Sequence, residues 1–441
     1  MVLNKRRFEA IVLEYVFIMA SISNYIEHLP IWRIIQATLF ILLIFCYKSY
    51  ARKLFSNLHL TVPLMIFGLV YIGSIVISED NTFLLNNSVK IFAPIISCLI
   101  FAGIARDDRE VFNRFMISHF WIFNAWWIIN IILILIQASG TPIFIKQSWI
   151  SGNKLYADLC CGLFGYNRTH EVNFYTCFIV VYNLCMSKNY YKIKKSILVV
   201  YIIASIVVSG YLSLLNDNIA LFLTIPVFIL IYVYVNELYV RRTIIAKIGK
   251  ALRIILCILI GLLVCSRIQP LVDIYNDVIY HRIERVLFAN NVIGGVSGSN
   301  ERLAQIFFSL NEPSSWLFGA GIGNDTINEH TANRFVHFGM NSFSSHIWLL
   351  GLWSILSEIY LIAQCIITCM PVTNNKRKRI LTCLCILTLS SLSIYSNIMI
   401  SQASIVWIFL CFASMKIEAV AKKQNRLGRI ESERRSNCHS F

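Results

Sequence analysis

An apolar run of about 20 residues crosses the hydrocarbon core of a bilayer as a helix, and this chain contains roughly twelve such runs. They begin near Phe8, Ile31, Leu60, Ser88, Phe115, Glu171, Ser196, Asp217, Ala251, Ser345, Ile380 and Ser401. With 57% hydrophobic and 14% charged residues in 441, the composition excludes an ordinary soluble domain. The expected fold is an all-α polytopic membrane protein with about twelve transmembrane helices. Its parts are residues 1–266, carrying spans one to nine; 267–344, a large external loop with short amphipathic helices; 345–415, carrying spans ten to twelve; and 416–441, a basic tail.

A net charge of +16 would point to nucleic acid if it lay on one surface. Instead the cations gather in alternate connections: Lys5, Arg6 and Arg7; Lys48, Arg52 and Lys53; Arg106, Arg109 and Arg114; Lys188 to Lys195; Arg241 to Lys250; Lys376 to Arg379; and the tail. This is the positive-inside pattern. It sets both termini in the cytoplasm, makes the charge a statement about topology, and removes the reason to expect nucleic acid. The first span carries Glu14 and leads directly into further spans, so it is expected to be an uncleaved anchor. The fourteen cysteines fall mostly within apolar runs and indicate no disulfide framework; a bridge between the adjacent Cys160 and Cys161 would be strained.

Two external connections are long, Ser139 to His170 and Arg267 to about Ser344. Arg168, Arg267, Arg282, Arg285, Arg302 and Arg334 occur there or at that membrane face, although external loops are normally poor in cations. Surface ion pairing accounts for any one of them as well as function does; the cluster points to an anionic ligand. In "GSNERLAQIFFSL", Gly298 to Leu310, Ser299 or Asn300 can cap a helix whose apolar stripe is Leu303, Ile306, Phe307 and Leu310. Arg302 stands in its first turn, where a cation opposes the helix dipole and a lipid-borne phosphate would offset the conflict. Snorkelling to water is the alternative. Arg282 and Arg285, three residues apart, share one side of a helix and suit a diphosphate.

"FGAGIGND", Phe318 to Asp325, has the glycines of a dinucleotide motif without its strand–helix setting, and reads as a tight turn. His337 is a candidate base or hydrogen-bond donor, with a structural role at equal odds. "GYNRTHEVNFY", Gly165 to Tyr175, brings Arg168, Glu171 and Asn173 to the start of the sixth span. Glu358 falls inside the tenth span and is costly there unless paired, and the sequence names no partner for it. No metal-ligand spacing occurs, so a metal-free reaction and no cofactor are expected.

"SGSNERLAQIFFSL…WLFGAGIGN" followed by "NSFSSHIWLLGLWS" resembles the O-antigen ligase/polymerase superfamily. Arg302 takes the place of that family's helix arginine; Gly319, Gly321, Gly323 and Asn324 match its turn; Asn341, Ser342, Phe343 and Gly351 match its last segment. Arg168, Glu171 and Asn173 look like its second arginine site. The resemblance departs where Met340 replaces a histidine and where Asn216, Asp217 and Asn218 replace a serine–arginine pair. It implies a polymerase of the bacterial inner membrane that transfers a growing glycan from undecaprenyl diphosphate to the next lipid-linked repeat unit at the periplasmic face, by inverting, metal-independent transfer. Arg302, His337 and Arg168 would be catalytic, and Arg282, Arg285, Glu171, Asn173 and Asn341 would bind substrate. A chain-length regulator would be a possible protein partner. The alternatives are a ligase that moves finished glycan to lipid A-core, a flippase or other transporter, and a polytopic receptor or scaffold.

Overall fold

The computed structural model describes residues 8–11, 13–14, 57–143, 160–164, 169–189, 191, 193–215, 266–274, 316–324 and 341–369, with short pieces at 248–263, 276, 280, 306–310 and 388–394. Apart from a short 3-10 turn at Gly162–Phe164, the ordered elements among these are α-helices. They are α1 (Leu58–Ile77), α2 (Leu84–Asp107), α3 (Arg109–Ala138), α4 (Thr169–Asn189), α5 (Lys195–Leu215), α6 (Gln269–Ile274), α7 (Ser342–Leu350) and α8 (Leu352–Cys369). Leu58–Ile77, Asn87–Asp107 and Glu110–Ala138 are long and apolar enough to cross a membrane. The expected spans near Ile31, Asp217 and Ser401 lie outside the described residues.

Helix α1 shows why these segments need lipid. Leu60, Pro63, Phe67, Val70 and Ser74 recur at helical spacing and are buried. On the opposite side Leu58, Val62, Met65, Leu69, Ile72 and Val76 are exposed and equally apolar. A helix with one apolar face packed and another bare is stable where the surroundings are themselves apolar. Its 20 residues span about 30 Å, the thickness of the hydrocarbon core. Asn57 caps its start, the side chain accepting from the His59 amide at 3.1 Å.

Helices α2 and α3 meet at Asp108, whose carboxylate accepts from the Glu110 and Val111 amides and caps α3. Around it Arg106 pairs with Asp107 at 3.1 Å and Arg114 with Glu110 at 2.7 Å. At the other end of α2 lies the α1–α2 turn, residues 78–83. Helix α8 packs along α1 and α2; α3 packs on α2, α4, α5 and the Gly162–Phe164 turn. Helix α4 is buried along its length from Thr169 to Ser187 wherever its side chains are described, and forms the axis of that second group.

The tenth span differs from expectation. It is two helices, α7 and α8, broken at Gly351, whose φ of 83° is a left-handed conformation that a side chain resists. A Cβ there would meet the Leu317 carbonyl group, so backbone contact forces the glycine as well. The segment Cys160–Phe164, expected within an external loop, is also buried. The Gly162 amide donates to Gln137 Oε1 at 2.8 Å and the Leu163 amide to Asn130 Oδ1 at 2.7 Å. Asn130 and Gln137 are seven residues apart on α3, so the segment descends about 10 Å along that helix. Non-helical backbone at such depth survives because α3 supplies the hydrogen bonds that lipid cannot.

Candidate functional site

The end of the bundle at the α1–α2 turn gathers three sequence motifs. The glycine turn Phe318–Asn324 lies between that turn and α7. Ala320 donates its amide to the Trp348 carbonyl at 2.6 Å, and the Gly323 carbonyl accepts from the Phe83 amide at 3.1 Å. The Gly323 amide donates to Ser78 Oγ at 2.8 Å. Asn87, buried on α2, donates through one amide nitrogen to the carbonyls of Ile322 and Asn324, each at 2.9 Å. Gly319 and Gly321 have positive φ, and a Cβ at Gly319, Gly321 or Gly323 would strike Trp348, Ser78 or Asp80 backbone respectively. The glycines therefore permit backbone-to-backbone packing, as the tight-turn reading requires, and among the described residues no strand–helix unit of a dinucleotide fold surrounds them. Asp80 adds to the turn by accepting from the Thr82 hydroxyl and amide, which hold its carboxyl below the usual carboxylate range.

Residues 306–310, which follow Arg302 in the sequence, reach the same place. Ile306, Phe307, Ser309 and Leu310 are helical, as expected. Ser309 Oγ, buried, donates to the Ser344 carbonyl at 3.0 Å. Ile306 and Leu310 pack against the core while Phe307 is 63% exposed. The inward face is thus Ile306, Ser309 and Leu310, and Phe307 is turned away from it. Arg302 itself, with Arg168, Arg282, Arg285 and His337, lies outside the described residues.

Asn341 is 3% exposed and caps α7, its Oδ1 accepting from the Ser344 amide at 2.8 Å. Glu171 and Asn173 stand buried in the first turns of α4. The Asn173 amide has no hydrogen-bond partner among the described residues, a cost of about 1–3 kcal/mol for each such group unless something else supplies one.

Two pairs inside the bundle were not paired by the sequence. His346 Nδ1 lies 2.9 Å from the Ser342 carbonyl, and its Nε2 lies 2.6 Å from Glu358 Oε2, with both side chains fully buried. The residues are twelve apart, which continuous helix would make about 18 Å. The break at Gly351 folds α7 back and supplies the partner Glu358 needs. With Nδ1 against the Ser342 carbonyl and neither side chain exposed, His346 is not offered to a substrate hydroxyl. The second pair joins the first span to α3: His119 Nδ1 lies 2.6 Å from Glu14 Oε1, and Ser118 Oγ donates to Glu14 Oε2 at 3.3 Å. His119 stacks between Phe115 and Phe123, and Tyr182 of α4 closes that side. An ionisable side chain amid an apolar run is the sequence signal for both pairs.

No group of three or more metal-capable side chains occurs among the described residues. The chain matches no family model, and no curated protein or solved structure is similar to it.

Proposed function

We propose that the chain is an O-antigen polymerase, a membrane glycosyltransferase that elongates undecaprenyl-diphosphate-linked oligosaccharide at the periplasmic face. The observation that carries this reading is the Ser309–Ser344 hydrogen bond. It ties residues 306–310, which follow Arg302 in the sequence, to the first turn of α7 after Asn341, beside the glycine turn, so described parts of the three motifs of the resemblance lie at one end of the bundle. Arg302, seven residues before Ser309, would then stand near a membrane surface, where a guanidinium can take the charge of a departing diphosphate. Arg168, with Glu171 and Asn173 after it, would bring a second cation, with Arg282 and Arg285 available to the same anion. His337 would accept the proton of the attacking hydroxyl.

The test is elongation of a lipid-diphosphate oligosaccharide by the purified full chain. Arg302→Ala should abolish polymer without loss of membrane protein, and Arg302→Lys should restore part of it, since lysine keeps charge but not the two-pronged donor. Normal polymer from Arg302→Ala would end this assignment of Arg302. In cells, loss of a polymerase leaves one repeat unit on the acceptor lipid, whereas loss of a ligase leaves none.

A carrier for lipid-linked oligosaccharide is the second reading, favoured by the buried pairs Glu14–His119 and His346–Glu358, since intramembrane His–Glu pairs occur in proton-coupled transport. Under that reading, Glu14→Gln would stop translocation of the lipid across proteoliposomes, and purified protein would not lengthen it.

A further inference from the structure

Buried polar side chains form a stripe along α4. Thr169, Asn173, Thr176, Asn183 and Ser187, with Val180 between, are spaced alternately four and three residues apart, which puts them on one side of the helix, and all are buried. Helix α5 packs on α4 and presents Tyr201, Ser205 and Ser209, each four residues from the last. We propose that α5 is a gate: it pivots at the Asn124–Asn183–Tyr201 contact and swings away from α4 at the Thr169 end, opening Asn173 and Ser209 to water and to a neutral, hydroxyl-bearing ligand. The motion stands by itself; its use in holding glycan rests on the polymerase reading.

The pivot is well bonded. Asn183 Nδ2 donates to Asn124 Oδ1 at 2.6 Å and to the Tyr201 hydroxyl oxygen at 2.7 Å. Asn124 Nδ2 returns a bond to Asn183 Oδ1 at 2.8 Å and donates to the Phe120 carbonyl at 2.7 Å. Tyr201 also bonds the Ser205 side chain. Helices α3, α4 and α5 are thus joined at one level, and parting them there would strand two amides in apolar surroundings.

The Thr169 end is the reverse. Counted from the pivot, Asn173 lies ten residues along α4 and Ser209 eight along α5, about 15 Å and about 12 Å in the same direction, because the two helices are antiparallel. The two side chains therefore stand at nearly one level. Asn173 is 1% exposed, and neither its amide nitrogen nor its amide oxygen has a hydrogen-bond partner among the described residues. Ser209 is 0% exposed and its hydroxyl has none either. Groups so enclosed gain hydrogen bonds only when the packing opens, so closure is opposed here and favoured at the pivot. Val200, Ile203 and Val207, on the outward side of α5, are exposed and apolar, so lipid accommodates the swing.

Asn173 offers two donors and an acceptor, and Ser209 one donor and an acceptor. These neutral groups complement sugar hydroxyls and not a diphosphate. Because its amide is enclosed in the closed form, Asn173 can hold glycan only while the gate is open.

The experiment uses full-length protein in lipid nanodiscs, with spin labels introduced as unnatural amino acids at two pairs of exposed positions on α3 and α5. Ile132 with Tyr211 reports on the Thr169 end, and Trp121 with Ile197 on the other side of the pivot. Double electron–electron resonance measures each distance, and elongation is assayed in parallel. The first pair should show two distances and the second pair one. Ser209→Ala and Asn173→Leu remove groups that favour opening, and each should lower the open population about tenfold. A single distance for the first pair in the otherwise unmodified protein overturns the proposal. So does equal movement of the second pair, or an open population unchanged by both substitutions. If the distances behave as expected and the protein does not elongate the lipid, the gate stands and the polymerase reading falls.

Discussion

Ser309 and Ser344 are thirty-five positions apart in sequence and joined by a buried hydrogen bond of 3.0 Å, hydroxyl to carbonyl. The bond fastens the helical residues 306–310 to the first turn of α7. Ser309→Ala removes about 1 kcal/mol of net interaction and loosens residues 306–310 from α7. Elongation should fall about fivefold, the equivalent of that energy, while protein in the membrane stays constant. Ser309→Thr, which keeps the hydroxyl, should recover most of the rate. Equal rates for Ser309→Ala and wild type would show that the bond does not hold the helix in its working place.

Glycines in this bundle should differ sharply in tolerance. A Cβ at Gly319 would lie 2.5 Å from the Trp348 carbonyl oxygen, whereas one at Gly68 meets nothing within 4 Å. Gly319→Ala should lower the melting temperature of purified protein, by the strain of positive φ and by forcing two backbones apart, a loss of about 1–3 kcal/mol. Gly68→Ala, in the interior of α1, should raise it slightly, by about 0.5–1 kcal/mol. Equal melting of Gly319→Ala and wild type would contradict the backbone clamp.

The descent of Cys160–Phe164 into the bundle has a chemical readout. Cys160 and Cys161 are buried and unbridged, so a membrane-impermeant maleimide should not label them in native protein. Asn130→Ala leaves the Leu163 amide without its acceptor, at about 1–3 kcal/mol, and should make both thiols reactive. Mass spectrometry of the labelled peptide checks this. Rapid labelling in the unmodified protein would mean that the segment lies in water.

Breaking the Glu14–His119 pair should be costly. Glu14→Ala strands a buried imidazole and should destabilise by about 3–5 kcal/mol, visible as loss of folded protein during detergent extraction. Glu14→Gln keeps a polar partner for His119 and should lose much less. Similar yields for the two variants would assign the stability to packing around Phe115, Phe123 and Tyr182 alone.

Much of the helical frame was readable in the sequence because an apolar run of sufficient length has few other solutions in a membrane. That logic located α1 to α5, and the glycine spacing located the turn at Phe318–Asn324. The break at Gly351 was hidden, since "SFSSHIWLLGLWSILSEIYL" is equally apolar whether the helix continues or folds back. The partner of Glu358 was hidden with it, because only the fold-back brings His346 near. Glu14 and His119 sit in different spans, and no sequence rule says which spans touch. The buried descent at Cys160 had a signal that went unused: Asn130 and Gln137, two amides seven apart in an apolar helix, imply a polar partner alongside. Arg168, Arg282, Arg285, Arg302 and His337, to which the proposed chemistry gives roles, lie outside the described residues.

The glycine turn and the capped start of α7 have a consequence for how this protein can diversify. Asn324 and Asn341 are both fixed to the frame, one through Ala320 and Asp80, the other through Ser344. The sixteen residues between them, 325–340, are therefore a cassette between two moorings. Lengthening such a connection costs little, since each doubling adds only about 0.6 kcal/mol of closure entropy. Insertions there would leave the bundle standing, so, under the polymerase reading, two chains that keep His337 and differ elsewhere across 325–340 could share one scaffold and differ in the sugar they accept.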